Sequence, residues 1–132
     1  MPRPMDEHPT PGELEVLRVL WRDSPLTGRQ VMDTLNRTRV RAYTSVMSLL
    51  NVMTDKGLLT RKPRGRGFVY SPKANHAKTT RRMLADLLGR AFDGSASLLV
   101  SRLLEETHPT HDELAEIRSA IAAYERQGKD KR

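Results

Sequence analysis

Apolar residues recur at helical intervals along the first half of the chain. Leu14, Leu17, Leu20 and Trp21 form one stripe, and Val31 with Leu35 forms a second. Val46, Leu49, Leu50 and Met53 form a third at i, i+3, i+4 and i+7, the apolar face of an amphipathic helix. Start signals precede two of these stripes. Thr10-Pro11-Gly12-Glu13 has capping-box spacing with Pro at the first helical position, and Thr27-Gly28-Arg29-Gln30 repeats that spacing. Asp23-Ser24-Pro25 ends the first helix, and Asn36 to Arg41 makes a polar, basic connection to the third. The third helix is predicted from about Tyr43 to Lys56, with Gly57 placed for a left-handed cap.

The period then changes. Leu58 to Lys62 and Phe68 to Ser71 predict two short strands, and Pro63-Arg64-Gly65-Arg66-Gly67 between them predicts a hairpin tip. After Pro72 helical spacing returns. A fourth helix carries Met83, Leu84, Leu87, Leu88, Ala91 and Phe92 and stops at Gly94, and a fifth spans about Ala96 to Glu106. Thr110-His111-Asp112-Glu113 opens a last helix with Leu114, Ile117, Ile121 and Tyr124 in a narrow stripe. Three such helices are too few to enclose a core of their own. They predict a homodimer formed through Leu84, Leu87, Leu88, Phe92, Leu99, Leu103, Leu114, Ile117, Ile121 and Tyr124.

The order helix, helix, helix, hairpin predicts a mainly α fold with a small β-hairpin wing. Residues 10–73 are expected to form a winged helix-turn-helix domain and residues 74–126 a helical dimerisation region. Residues 1–9 are expected as a flexible arm and 127–132 as a disordered basic tail.

Charge sharpens this. Between Arg37 and Lys73 there are nine basic residues and one acid, Asp55, so this stretch alone carries more positive charge than the whole chain's net +7. Such a one-signed stretch marks a polyanion-binding surface, because each cation set against a phosphate releases a counterion. In a winged helix-turn-helix the third helix enters the major groove with its N-terminal residues at the base edges. Tyr43, Thr44, Ser45, Met47 and Ser48 are therefore the candidate readers. Arg29, Arg39 and Arg41 are expected to hold the phosphate backbone, and Arg61, Arg64 and Arg66 to reach phosphates or the minor groove from the wing.

Other chemistries find little support. With no cysteine, disulfides, thiolate metal sites and thiol catalysis are excluded. His108 and His111 lack a further ligand at helical spacing, so no metal is expected. Glu105 and Glu106 are adjacent and do not share a helix face. Gly65 and Gly67 lie in a hairpin, not in a phosphate-cradling loop. No enzyme activity and no cofactor are predicted. Asp6 and Glu7 leave no signal peptide, and the longest apolar run near the C-terminus is Leu98-Leu99-Val100, so a cytoplasmic protein without membrane insertion is expected.

Gly12-Glu13-Leu14-Glu15-Val16-Leu17, Leu20-Trp21, Ala42-Tyr43-Thr44-Ser45-Val46, Lys56-Gly57-Leu58-Leu59 and Tyr70-Ser71-Pro72 together resemble the penicillinase repressor (BlaI/MecI-type) family over about residues 10–126. The resemblance implies a cytoplasmic dimer of winged-helix subunits with C-terminal dimerisation helices, bound to a dyad-symmetric operator. It further implies repression of nearby genes, often a β-lactamase or a sensor metallopeptidase. Relief would come from a membrane sensor metallopeptidase, or a protease downstream of it, cutting the C-terminal region. Two departures stand out. The Asn-Phe bond cut in type members has no counterpart here, the nearest equivalent being Arg102-Leu103, and the cysteine cluster of copper-responsive relatives is missing. Two rivals stay open at this point: a winged-helix regulator released from DNA by a small ligand, and a winged-helix protein-interaction module.

Overall fold

The computed structural model describes residues 8–128; most of the expected N-terminal arm and of the basic tail lies outside them. In chain order the elements are α1 (Pro11–Arg22), β1 (Leu26–Thr27), α2 (Gly28–Leu35), α3 (Tyr43–Asp55), β2 (Leu59–Arg64), β3 (Gly67–Pro72), α4 (His76–Ala91), α5 (Ala96–Thr107) and α6 (His111–Gly128). The fold is mainly helical with a small antiparallel sheet, and it forms two compact units that divide within α4, one ending at Ala85 and the next beginning at Asp86.

In the first unit both predicted capping boxes are formed. Thr10 N–H donates to Glu13 Oε1 at 2.9 Å while Glu13 N–H donates to Thr10 Oγ1 at 3.2 Å. Thr27 and Gln30 repeat the exchange at 2.8 and 3.1 Å. Each box satisfies two of the amides that a helix start leaves without partners. The core gathers Val16, Leu17 and Leu20 of α1, Val31 and Leu35 of α2, Val46, Leu50 and Met53 of α3, and Leu59 and Tyr70 of the sheet. The buried stripe of α1 is rotated from the predicted one. Val16 is buried, while Leu14 and Trp21 are half-buried, because the first position of the inward stripe belongs to the charged Glu13.

The sheet has order β1-β3-β2. Leu26 pairs with Tyr70 and Thr27 with Val69, a third strand that the sequence pattern did not predict. Two residues are too few to show alternation, and Thr27 is also the α2 cap. The wing strands are longer than predicted, pairing from Leu59↔Pro72 to Arg64↔Gly67 and leaving only Gly65 and Arg66 in the turn. Pro63 is tolerated in β2 because β2 is an edge strand, where a missing N–H need not break a ladder. Beyond β3 the chain stays attached to this unit. Lys73 and Ala74 N–H both donate to the Leu58 carbonyl, at 2.8 and 3.1 Å, and Trp21 Nε1 donates to the Ala74 carbonyl at 2.8 Å. These bonds tie Lys73 and Ala74 to Leu58 and to Trp21 of α1.

The second unit comprises the end of α4, α5 and α6. Gly94, at φ +78°, donates its N–H to the Leu88 carbonyl at 2.9 Å and stops α4, and Ser95 Oγ accepts from Leu98 N at 3.1 Å to start α5. Thr110 Oγ1 accepts from Glu113 N at 3.1 Å at the start of α6. No residue of α4, α5 or α6 is buried, and no helix among the described residues is long and apolar enough to cross a membrane.

Gly57 has φ +84° and an ideal Cβ there would meet nothing within 4 Å. Gly57→Ala is therefore expected to cost about 1 kcal/mol through backbone strain alone. Gly67→Ala, also in open space but without positive φ, is expected to cost less than half of that. Urea denaturation of both variants checks the contrast, and equal losses would rule out the conformational cause.

Candidate nucleic-acid interface

Burial fixes which way α3 faces. With Val46, Leu50 and Met53 inside, the opposite side of the helix carries Thr44, Ser48 and Asn51, spaced by four and three residues and all exposed. Ser45 is also exposed, and Tyr43 is 45% exposed at the first helical position. Met47 differs from expectation. It is half-buried against the core, and a Cβ placed on Gly28 would lie 2.6 Å from its sulfur, so it fills the close approach of α2 and α3. Asn51 takes a place on the outward face that the N-terminal bias of the sequence reading passed over. Its signal was present, seven residues from Thr44 and three from Ser48.

The α3 N-cap is Ala42, which has no side-chain oxygen to cap the first-turn amides. Those N–H groups, at the positive end of the helix dipole, suit a phosphate. The Arg29 guanidinium lies 5.3 Å from the Tyr43 ring centroid, joining the second residue of α2 to the first of α3. Arg39 is largely exposed, with a loose 3.7 Å approach to Glu15. Arg41 is placed otherwise. Its guanidinium donates to the Leu35 and Arg39 carbonyls at 2.9 Å each and to Glu15 Oε1 at 2.9 Å, and its side chain is 11% exposed. Asn36 Oδ1 accepts from Arg41 N at 2.8 Å. The α2–α3 loop is wound around Arg41, which holds the start of α3 from inside.

On the wing, the Arg61 guanidinium stacks over Phe68 at 4.3 Å and donates to Asn51 Oδ1 at 3.2 Å. One side chain therefore spans from β2 to the outward face of α3. Arg64 and Arg66 are exposed at the tip, with Gly65 between them at φ +61°. The structure thus brings Arg29, Tyr43, Thr44, Ser48 and Arg61 onto one surface with the unforeseen Asn51, and turns Arg41 and Met47 inward.

None of the candidate dimer residues is fully buried in this single chain. Leu84, Leu87, Leu103, Ile121 and Tyr124 are 47–71% exposed, and Leu88, Phe92, Leu99, Leu114 and Ile117 are half-buried. His108 ends α5 in a left-handed conformation and His111 begins α6. Among the described residues no group of three or more His, Cys, Asp or Glu could hold a metal ion.

The family described as Penicillinase repressor matches residues 9–123. The chain is 25% identical over 119 residues to the penicillinase repressor of Bacillus licheniformis, covering 90% of this chain and 93% of that one. It is 32% identical over 118 residues to the transcriptional regulator BlaI of Mycobacterium tuberculosis, covering 86% of this chain and 84% of the relative. A solution structure of the DNA-binding domain of the repressor BlaI is similar at 29% identity and TM-score 0.49, covering 54% of this chain and 89% of that domain.

Arg41→Ala removes three hydrogen bonds of a nearly buried guanidinium, and is expected to destabilise the protein by about 2–3 kcal/mol. Arg41→Lys should rescue little, since one ammonium cannot span those acceptors. Arg39→Ala should cost less than about 0.5 kcal/mol. Thermal or urea unfolding of the three variants decides; a neutral Arg41→Ala would return this residue to the surface.

Proposed function

The chain belongs to the penicillinase repressor family, and on that premise we propose that it is a homodimeric transcriptional repressor that occupies a dyad-symmetric DNA operator. The family is one of non-enzymatic DNA-binding regulators. One observation carries the reading furthest. The outward face of α3 is uncharged at Thr44, Ser48 and Asn51, with the Arg29 guanidinium beside its first residue and that of Arg61 beside Asn51. Hydroxyl and amide groups discriminate base edges, and an Asn can bond an adenine in the major groove. Guanidinium groups around them fix the register on the phosphates without reading sequence. Arg64 and Arg66 extend that grip along the duplex from the wing.

A two-fold dimer presents two such faces, so the operator would be dyad-symmetric with half-sites about one helical turn, roughly 34 Å, apart. Support for the dimer comes from the unburied apolar stripes of α4, α5 and α6. Relief through a sensor-linked protease would act on this region. The Arg102-Leu103 bond lies within α5, inside a hydrogen-bonded helix, so cutting there requires α5 to open locally first.

Two measurements test the proposal. Arg64→Ala combined with Arg66→Ala should make the log–log salt slope of operator binding shallower by about 1–2, at about 0.9 per phosphate contact, and should weaken binding evenly across sequences. An unchanged slope would take the wing tip off the DNA. Ile121→Asp should give a monomer by sedimentation, because it would bury a charge in the interface. Operator affinity should then fall roughly 10²–10⁴-fold while binding to a single half-site persists. A dimer that survives this substitution places the interface elsewhere.

A further inference from the structure

At the base of the wing, a cleft of about 670 Å³ opens between the end of α1 and the segment from Pro72 to His76. Trp21 is among its lining residues. The indole N–H is tied to the Ala74 carbonyl at 2.8 Å, and the His76 ring meets the indole nearly at right angles with centroids 4.8 Å apart. Two contacts from one short segment fix the ring plane, which makes Trp21 a pre-positioned aromatic platform. Pro72 and Ala74 add apolar wall.

The rim is cationic. Arg18 and Arg22 stand one turn apart on α1, Lys73 faces them from the segment after β3, and no Asp or Glu lines the cleft. Among the described residues none of these three cationic groups meets a carboxylate. Arg29 and Arg61, by contrast, lie over the rings of Tyr43 and Phe68. The cleft lies at the opposite end of β3 from the Arg64–Arg66 tip, a strand of six residues and so roughly 17 Å long.

We propose that this cleft is a binding site for a small planar ring compound carrying a phosphate or carboxylate. The ring lies on Trp21, and the anion is held between Lys73 and the guanidinium groups of Arg18 and Arg22. A fixed aromatic face with a few convergent charged groups is the composition of a small-ligand site, and guanidinium groups match the fork of a carboxylate or phosphate. The site goes beyond the repressor reading and does not rest on it.

Because Trp21 is the single tryptophan, its indole N–H gives one resonance that reports the cleft directly. The full chain is titrated with adenosine 5′-monophosphate and with benzoate, using adenosine and inorganic phosphate as single-feature controls. Both anionic rings should shift the indole signal saturably. The two controls should bind at least about tenfold more weakly, since each lacks one half of the recognition. Arg22→Ala combined with Lys73→Ala should weaken binding by a similar factor while the amide spectrum stays that of the folded protein. The proposal is overturned if neither anionic ring moves the signal, if phosphate alone binds as tightly as the nucleotide, or if the double variant binds unchanged. It is also overturned if a short duplex moves the same signal and loses affinity in the same variant, which would make the cleft part of the DNA track.

Discussion

Two carboxylates on α1 hold α3 in place, and the rest of the winged unit is arranged around that constraint. Glu13 is 2% exposed. It caps its own helix through Thr10 and also receives Lys56, the C-cap residue of α3. Glu15, two residues on, receives Arg41 just before α3 begins. Both ends of α3 are thus referred to a single neighbouring helix. A buried ion pair is a weak source of stability, since desolvation offsets most of the attraction. Its value here is positional: the apolar face of Val46, Leu50 and Met53 can fix how α3 is rolled, while the two charged anchors resist sliding along its axis.

These anchors also sort the charge. Of the nine cations between Arg37 and Lys73, Arg41 and Lys56 are taken up by α1. Of the rest, Lys73 lines the cleft at the base of the wing, and the others lie on the wing and the α2–α3 loop, on either side of the uncharged strip of α3. A surface uniformly covered in arginine would bind any duplex through counterion release. Choice of sequence needs neutral hydrogen-bonding groups at the centre and cations at the margin, and the folding of Arg41 inward helps keep the entrance of α3 that way.

Much of this was legible in the sequence because it is carried by local signals. Capping boxes at Thr10 and Thr27, the i, i+3, i+4, i+7 stripe of α3 and the glycines of the wing each fix a backbone conformation within a few residues. What the sequence hid was long-range. Nothing near Arg41 says that its partner is Glu15, twenty-six residues away, so a cation before a recognition helix reads as a phosphate contact. Met47 has the spacing of an outward residue, yet the missing side chain of Gly28 gives it a place to pack. Asn51 lies beyond the usual N-terminal reading positions, and only the wing, brought alongside by Arg61, shows that this part of α3 belongs to the same surface. Glu13 was read correctly as a cap, but a buried carboxylate in the core stripe of α1 is visible only once Lys56 arrives beside it.

The two units differ in what supports them. The winged unit has seven side chains of aliphatic or Met type at 0–1% exposure, enough to define an interior of its own: Val16, Leu17, Leu20, Val31, Val46, Leu50 and Met53. Helices α5 and α6 have no fully buried residue in the single chain, although their stripes are as regular as those of α1 and α3. In the proposed dimer the hydrophobic gain that orders these helices comes from association. In that dimer their packing would depend on protomer concentration in a way that the winged unit's does not. By linkage, whatever loosened that proposed association would also lower affinity for the proposed two-fold site, with no contact to DNA altered. A repressor built this way separates recognition from control. In the proposed dimer the winged unit keeps its outward α3 face on a core of its own, while the region proposed to answer a signal is the one whose core a second copy would supply.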